Sequence, residues 1–147
     1  MVGIFAGFAL LTAGAASAAD GKAIYEANCA SCHQPDGAGA VGLAPPLQGT
    51  LGKRLASPAG RKYLPGVLIA GLAGKIESKG VVYNGIMPSW QQLSDVELAA
   101  VLNHVLTTFN AAELPASQAL FDEAAFAEPR GRKPTGKELR AWRAESD

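Results

Sequence analysis

The sequence predicts a mainly α-helical fold with one small β-hairpin and a short helical C-terminal extension. Three observations carry this reading. Ser94-Asp95-Val96-Glu97 is a capping box, in which serine and glutamate satisfy each other's backbone donors. It opens a stretch whose apolar residues Val96, Leu98, Val101, Leu102, Val105, Leu106 and Phe109 recur at helical spacing. A second box, Thr135-Gly136-Lys137-Glu138, opens a final helix with Leu139 and Trp142 on one side. Strand character is confined to Ile76–Tyr83 around a Ser78-Lys79-Gly80 turn.

Length and composition bound the function. The 147 residues suffice for one domain and an appendage, not for two large domains. Lys and Arg number 13, as do Asp and Glu, so the basic excess that a general nucleic-acid binder needs is missing. At 48% hydrophobic and 18% charged, the chain is too apolar for disorder. Two cysteines cannot build a disulfide scaffold. Aromatics make up only 7%, which leaves a small core underfilled.

The elements follow in order. Residues 2–19 are uncharged, run through Ile4 to Leu11 as their most apolar part, and end in the small-x-small pattern Ala16-Ser17-Ala18. Residues 1–19 therefore read as a secretory signal, with an uncleaved membrane anchor as the alternative. Asp20 caps a helix that places Gly21, Ile24, Tyr25 and Asn28 on one face. Gln34 to Gly52, rich in Gly and Pro, is a long irregular loop of the kind that lies against something functional. Tyr63 to Leu72 reads as a short helix with Pro65 in its first turn and Gly74 beyond its end. After the hairpin, a loop from Asn84 to Leu93 carries Met87, and the capped helix then runs to Phe109. Beyond Asn110, a short helix over Glu123–Ala127 precedes the last one.

One motif carries chemistry. Cys29-Ala30-Ser31-Cys32-His33 is C-x-x-C-H, the attachment signature of c-type haem. Two thiols three positions apart at a helix end can add to the two vinyl groups of one porphyrin, and the adjoining His33 is then held beneath the iron. A redox dithiol of the thioredoxin type requires a βαβ setting, which is missing here. Structural zinc requires four ligands, whereas the chain offers two Cys and two His. A disulfide between cysteines so close would be strained. For the sixth ligand, the chain beyond the signal offers one methionine, Met87, set between Gly85 and Pro88 where core filling is poorly served. His104 lies off the apolar stripe of its helix and reads as solvent-facing.

These residues resemble a known family. Gly21, Tyr25, the Cys29-x-x-Cys32-His33 motif, Pro45-x-Leu47-x-Gly49, Met87-Pro88 and the amphipathic helix that follows look like a class I (mitochondrial-type) cytochrome c domain, over about residues 20–109. The resemblance implies three main helices around a covalently bound haem, with Gly21 and Tyr25 at the crossing of the first and last. It implies that the Pro45 carbonyl accepts a hydrogen bond from His33 Nδ1–H, fixing the ring. It says nothing of the hairpin or of residues 110–147.

The implied function is electron transfer by one haem c, with His33 and Met87 as iron ligands and no substrate site, so the chain is not an enzyme in itself. It would serve as a soluble periplasmic carrier or as the cytochrome subunit of a dehydrogenase or oxidase complex. Its partners would be redox proteins, not nucleic acid, and it would touch a membrane only through an uncleaved residue 2–19 segment. A haem enzyme or gas sensor would need an open sixth position, against which Met87 argues. Leu47, Leu68, Ile76, Ile86 and Leu102 are candidate pocket lining. Arg54, Arg61, Tyr63 and Trp90 are candidate anchors for the haem propionates.

Zero net charge conceals blocks. Asp95 to Glu128 holds six acids and no base, and Arg130 to Arg143 holds six bases and one acid. Phe121, Phe126, Leu139 and Trp142 are too many apolar side chains for a free tail, which must dock on its own domain or on a partner subunit.

Overall fold

Asp20 starts the first helix, α1 (Gly21–Asn28), by accepting hydrogen bonds from the backbone N–H groups of Lys22 and Ala23 at 3.0 and 3.1 Å. The computed structural model describes residues 19–147, so all but the last residue of the expected 1–19 signal lies outside the described residues. The helix α1 crosses α4 (Asp95–Phe109) at Gly21, where a Cβ would stand 2.1 Å from the Ala100 carbonyl oxygen. No side chain fits at that distance, so Gly21 sets how closely the two helices approach. One turn on, Tyr25 is buried and donates its hydroxyl to the Gln34 carbonyl at 2.6 Å. Burial pushes the Tyr25 hydroxyl up to about 12.

A four-residue turn of helix, α2 (Ala30–His33), carries the end of the cysteine motif, and the long loop then runs to a 3-10 turn over Gly52–Ala56. The next helix, α3, spans Pro58–Ala70 and so begins five residues before the start expected at Tyr63. Ser57 is its cap, accepting from Gly60 N–H at 2.9 Å, and Pro58, not Pro65, takes the first-turn proline position. Pro65 lies inside the helix and is buried in the core, where it has no N–H to donate. The helix stops at Gly71, not Gly74: Gly71 has φ +68° and donates to Val67 at 2.8 Å.

The hairpin is longer than the pattern suggests. Strands β1 (Leu72–Ser78) and β2 (Val81–Met87) pair antiparallel from Leu72↔Met87 to Ser78↔Val81. Lys79 and Gly80, with φ of 50° and 74°, make the two-residue turn whose twist suits a hairpin. The Gly74↔Gly85 pair dilutes the strand signal and explains why the ends escape sequence reading. As a result Met87 ends a strand instead of riding in a loop.

Helix α4 is the centre of the core. Its capping box is formed on both sides, and Leu98 and Leu106 are fully buried, each contributing about 1.5–3 kcal/mol over the exposed state. Val96, expected on the buried stripe, is 46% exposed because the first turn extends past the core.

The remaining chain folds back on this core. Phe121 exchanges hydrogen bonds with the Asn103 side chain at 2.7 and 3.0 Å. A 3-10 turn over Glu123–Phe126 buries Phe126 and leads into α5 (Ala127–Gly131). The last helix, α6 (Gly136–Glu145), lays Leu139 against α3 at Gly66, where a Cβ would lie 3.2 Å from the leucine. Of the two docking alternatives, the structure shows docking on the same chain. Among the described residues, no helix is long and apolar enough to cross a membrane.

This packing can be tested at two places. Gly21→Ala pushes a methyl into the Ala100 carbonyl and should cost about 1–3 kcal/mol; an unchanged urea midpoint would remove the close approach from the account. In the α6 box, hydrogen bonds from Thr135 N–H and hydroxyl, then from Arg132, hold the Glu138 carboxyl at about 2 against an ordinary 4.5. A depressed carboxyl stabilises the fold above its unfolded pKa and loses that stabilisation as pH falls through the folded one. Glu138→Gln can still cap but cannot ionise, so its urea midpoint should decline less than that of the parent between pH 4.5 and 2.

Candidate functional site

The C-x-x-C-H residues sit where α1 gives way to α2. His33 N–H donates to Cys29 at 2.9 Å, and Gln34, with φ 67°, turns the chain away immediately afterwards. Cys29 and Cys32 are both free thiols, the first half-buried and the second exposed. Burial, with the neighbouring Cys32 charge as a second cause, pushes the Cys29 thiol up to about 11, so it stays protonated at neutral pH.

His33 is only 8% exposed, and its Nδ1 lies 2.9 Å from the Pro45 carbonyl oxygen. A carbonyl can only accept, so Nδ1 carries the proton and Nε2 keeps a lone pair for a ligand bond. Burial lowers the His33 pKa and so favours the neutral ring, against the opposing pull of the Pro45 bond. Pro45 is held in turn. The Thr50 hydroxyl donates to the Pro46 carbonyl at 2.9 Å, and Leu47 N–H donates to Gly37 at 2.8 Å.

Asn110 anchors this loop, a role that sequence reading misses. Fully buried at the end of α4, its side-chain oxygen accepts from the N–H groups of Thr50, Leu51 and Gly52 at 3.0, 2.9 and 3.2 Å. Its amide donates to the Leu47 and Val105 carbonyls at 3.0 and 3.1 Å. An asparagine just past an amphipathic helix is the available signal, but most of its partners lie about sixty residues away.

Met87 is half-buried against the core at the end of β2. Gly71 makes room for it: a Cβ there would stand 2.6 Å from the Met87 carbonyl oxygen, at a φ that only glycine adopts freely. Beyond Met87, the Ser89 hydroxyl donates to Ile69 at 2.6 Å and Trp90 N–H to Leu68 at 2.8 Å. The segment is thus fastened to the end of α3.

The donor set fits a covalent haem. Val41, Leu43 and Ile86 are 83, 53 and 82% exposed, and they flank the segments that carry Pro45 and Met87. Apolar side chains left open on both segments are what a large flat apolar group would cover. Among the expected lining, Leu47, Leu68 and Ile76 are half-buried against the core, Leu102 is buried, and Ile86 is exposed. Among the described residues no group of three or more His, Cys, Asp or Glu comes together, which counts against zinc. His104 is not solvent-facing as expected. Its ring centroid packs 5.7 Å from both Tyr25 and Phe109 at the α1–α4 crossing, and Thr108 approaches its Nδ1 at 3.2 Å.

The candidate propionate anchors separate into two groups. Arg54 and Tyr63 come together, the guanidinium 5.5 Å from the ring centroid, and both are buried. Arg61 instead lies over Phe121 and donates to Ala119 at 2.9 Å, while Trp90 packs in the loop after Met87. Arg143, which sequence reading also misses, joins the first group. It is buried 5.8 Å from the Tyr63 ring centroid, four residues after Leu139 and so on the same face of α6. Arg54 donates to the Arg143 carbonyl at 2.8 Å and the Ser146 hydroxyl at 2.7 Å, and it pairs with Asp147. Its Nε is buried without a partner among the described residues.

Residues 18–109 match the sequence model of the family described as Cytochrome c. One cytochrome c-552 of Thermus thermophilus is 51% identical over 106 residues, covering 72% of this chain and 71% of the relative. A second Thermus thermophilus cytochrome c-552 is 53% identical over 95 residues, covering 65% of this chain and 72% of its own. The fructose dehydrogenase cytochrome subunit of Gluconobacter japonicus is 32% identical over 67% of this chain, which spans 20% of that relative.

Asn110→Ala leaves five backbone groups without their partner. It should cost about 3 kcal/mol or more and speed amide exchange at Thr50, Leu51 and Gly52 above that of neighbouring loop amides. Unchanged exchange at those three positions would refute the anchoring role.

Proposed function

The chain belongs to the cytochrome c family, whose members move electrons through a c-type haem, and from that premise we propose its ligand set, location and mode of action. One haem would be held through thioether bonds to Cys29 and Cys32, with His33 and Met87 supplying the nitrogen and sulfur ligands to its iron, in a domain over residues 20–109. Residues 110–147 form a helical extension of that domain. The observation that carries this reading is the 2.9 Å bond from His33 Nδ1 to Pro45, which leaves Nε2 available on the residue that follows Cys32 in the motif.

Bound haem supplies reversible one-electron exchange at its iron; the protein does the rest. His33 offers a neutral nitrogen of fixed tautomer. Met87 offers a soft thioether, which favours the ferrous state and raises the potential. Leu47, Leu68, Ile76 and Leu102 keep water from the iron-binding groups, which raises it further. With His33 and Met87 both used as ligands, exchange is outer-sphere and the protein is a carrier, not an enzyme. Arg54, Tyr63 and Arg143 would hold a propionate carboxylate, an acceptor for the Arg54 Nε that has none among the described residues.

Export through residues 1–19 places the protein in the periplasm, facing redox proteins, and membrane contact is limited to an uncleaved N-terminal segment. Its partner is a dehydrogenase or an oxidase, met either as a soluble carrier or as a subunit, and likeness to a dehydrogenase cytochrome subunit supports the first. The holoprotein tests the ligand set. The ferric parent should show the weak long-wavelength band of thioether–iron ligation, and the ferrous parent should bind carbon monoxide poorly at neutral pH. Met87→Ala should abolish the band, lower the potential and admit carbon monoxide readily. A high-spin ferric parent with rapid carbon monoxide binding would overturn the carrier reading.

A further inference from the structure

Met87 closes a two-stranded sheet, and such a hairpin is marginally stable on its own. The outer edge of β1 presents unpaired carbonyls, and two arginines of α6 donate into that edge. Arg140 reaches the Ala73 carbonyl at 2.9 Å, and Arg143 reaches the Glu77 carbonyl at 2.8 Å. Ala73 pairs with Ile86 and the adjacent Leu72 with Met87, so the Arg140 contact lies one residue from the Met87 pair.

The other flank of Met87 is gripped in the same way from α5. Arg130 donates to the Gln91 and Leu93 carbonyls at 2.8 and 2.9 Å, and to Asp95 at 2.7 Å through Nε. One planar guanidinium thus binds two carbonyls of the loop that leaves Met87 and the first residue of α4, a fork that lysine cannot reproduce. Both arms rise from a segment that is itself fixed by the buried Phe126 and Leu139.

We infer that Arg130 and Arg140 are positioning residues for Met87: the C-terminal segment straps the hairpin edge and the following loop so that the thioether stays at the iron-binding position. This rests on the reading of Met87 as axial ligand. An external ligand reaches the iron only while Met87 is displaced, so its apparent affinity scales with the population of that open state. Loosening the strap raises that population.

The test uses ferric holoprotein titrated with imidazole, followed in the long-wavelength band and the Soret band. Arg130→Ala and Arg140→Ala should each tighten imidazole binding, and the double variant should tighten it by about tenfold. Arg132→Ala is the control. It removes one charge from the same segment, but its side-chain partner is Glu138 within that segment, so imidazole should bind as in the parent. The inference is overturned if the double variant binds imidazole like the parent, or if Arg132→Ala tightens binding as much. If the double variant does not hold haem, R130K with R140K takes its place, under the same criterion. A parent without the thioether band overturns the ligand assignment and the strap with it. A parent that has the band and a double variant with parental affinity overturns the strap alone.

Discussion

Five backbone groups from two distant stretches of chain converge on the side chain of Asn110. Its oxygen ends the loop after Pro46 by collecting three successive N–H groups, and its amide ties that loop to the last turn of α4. The carbonyl that orients His33 belongs to Pro45, at the start of the same loop. The position of the His33 ring therefore depends on α4, and α4 depends on the close approach of α1 at Gly21. A buried amide with every bond made is worth more than the sum of exposed ones, because each partner would otherwise be orphaned away from water.

The charge blocks of the sequence take on a structural meaning in this arrangement. The bases from Arg130 onward bind carbonyls more than carboxylates: Gln91, Leu93, Ala73 and Glu77 are all backbone acceptors. Only Asp95, Glu138 and Asp147 answer arginines as carboxylates among the described residues. The basic end of the chain is thus less a counter-charge to the acidic stretch than a set of donors for unpaired backbone. Arg54 and Arg143 are the exceptions in depth. Two buried guanidiniums lie 5.5 and 5.8 Å from one tyrosine ring centroid, beside a single half-exposed carboxylate. Burial and the facing Arg143 lower the Arg54 pKa, a cost that a further anion would relieve.

What sequence reading reaches is local. Both capping boxes close as Ser94–Glu97 and Thr135–Glu138 spacing implies, because three residues of helix fix that geometry. The His33–Pro45 hydrogen bond, expected from the family resemblance, forms. The start of α3 is misplaced in sequence because Pro65 draws attention from the stronger Ser57-Pro58 signal. The hairpin is cut short there because Gly74 and Gly85 mask a strand that the pairing itself supports. Asn110, Arg143 and the half-buried His104 escape it, since their partners are set by helix crossings and tail docking, which no short window encodes. The roles of Cys29, Cys32, His33, Pro45 and Met87 toward haem rest on the motif and family; the structure adds where each side chain stands.

The two sides of the site are secured by different kinds of interaction. The His33 side hangs on the buried Asn110 amide and an uncharged network, which salt screens little and which opens only by disrupting the core. The Met87 side is held inward by Ser89 and Trp90 and outward by arginines at the surface, where ions screen and water competes. Local opening follows the weakest set of contacts. The segment bearing Met87 is therefore the part of the site that yields first, while the imidazole stays aimed by a carbonyl whose own position is fixed from the opposite end of α4.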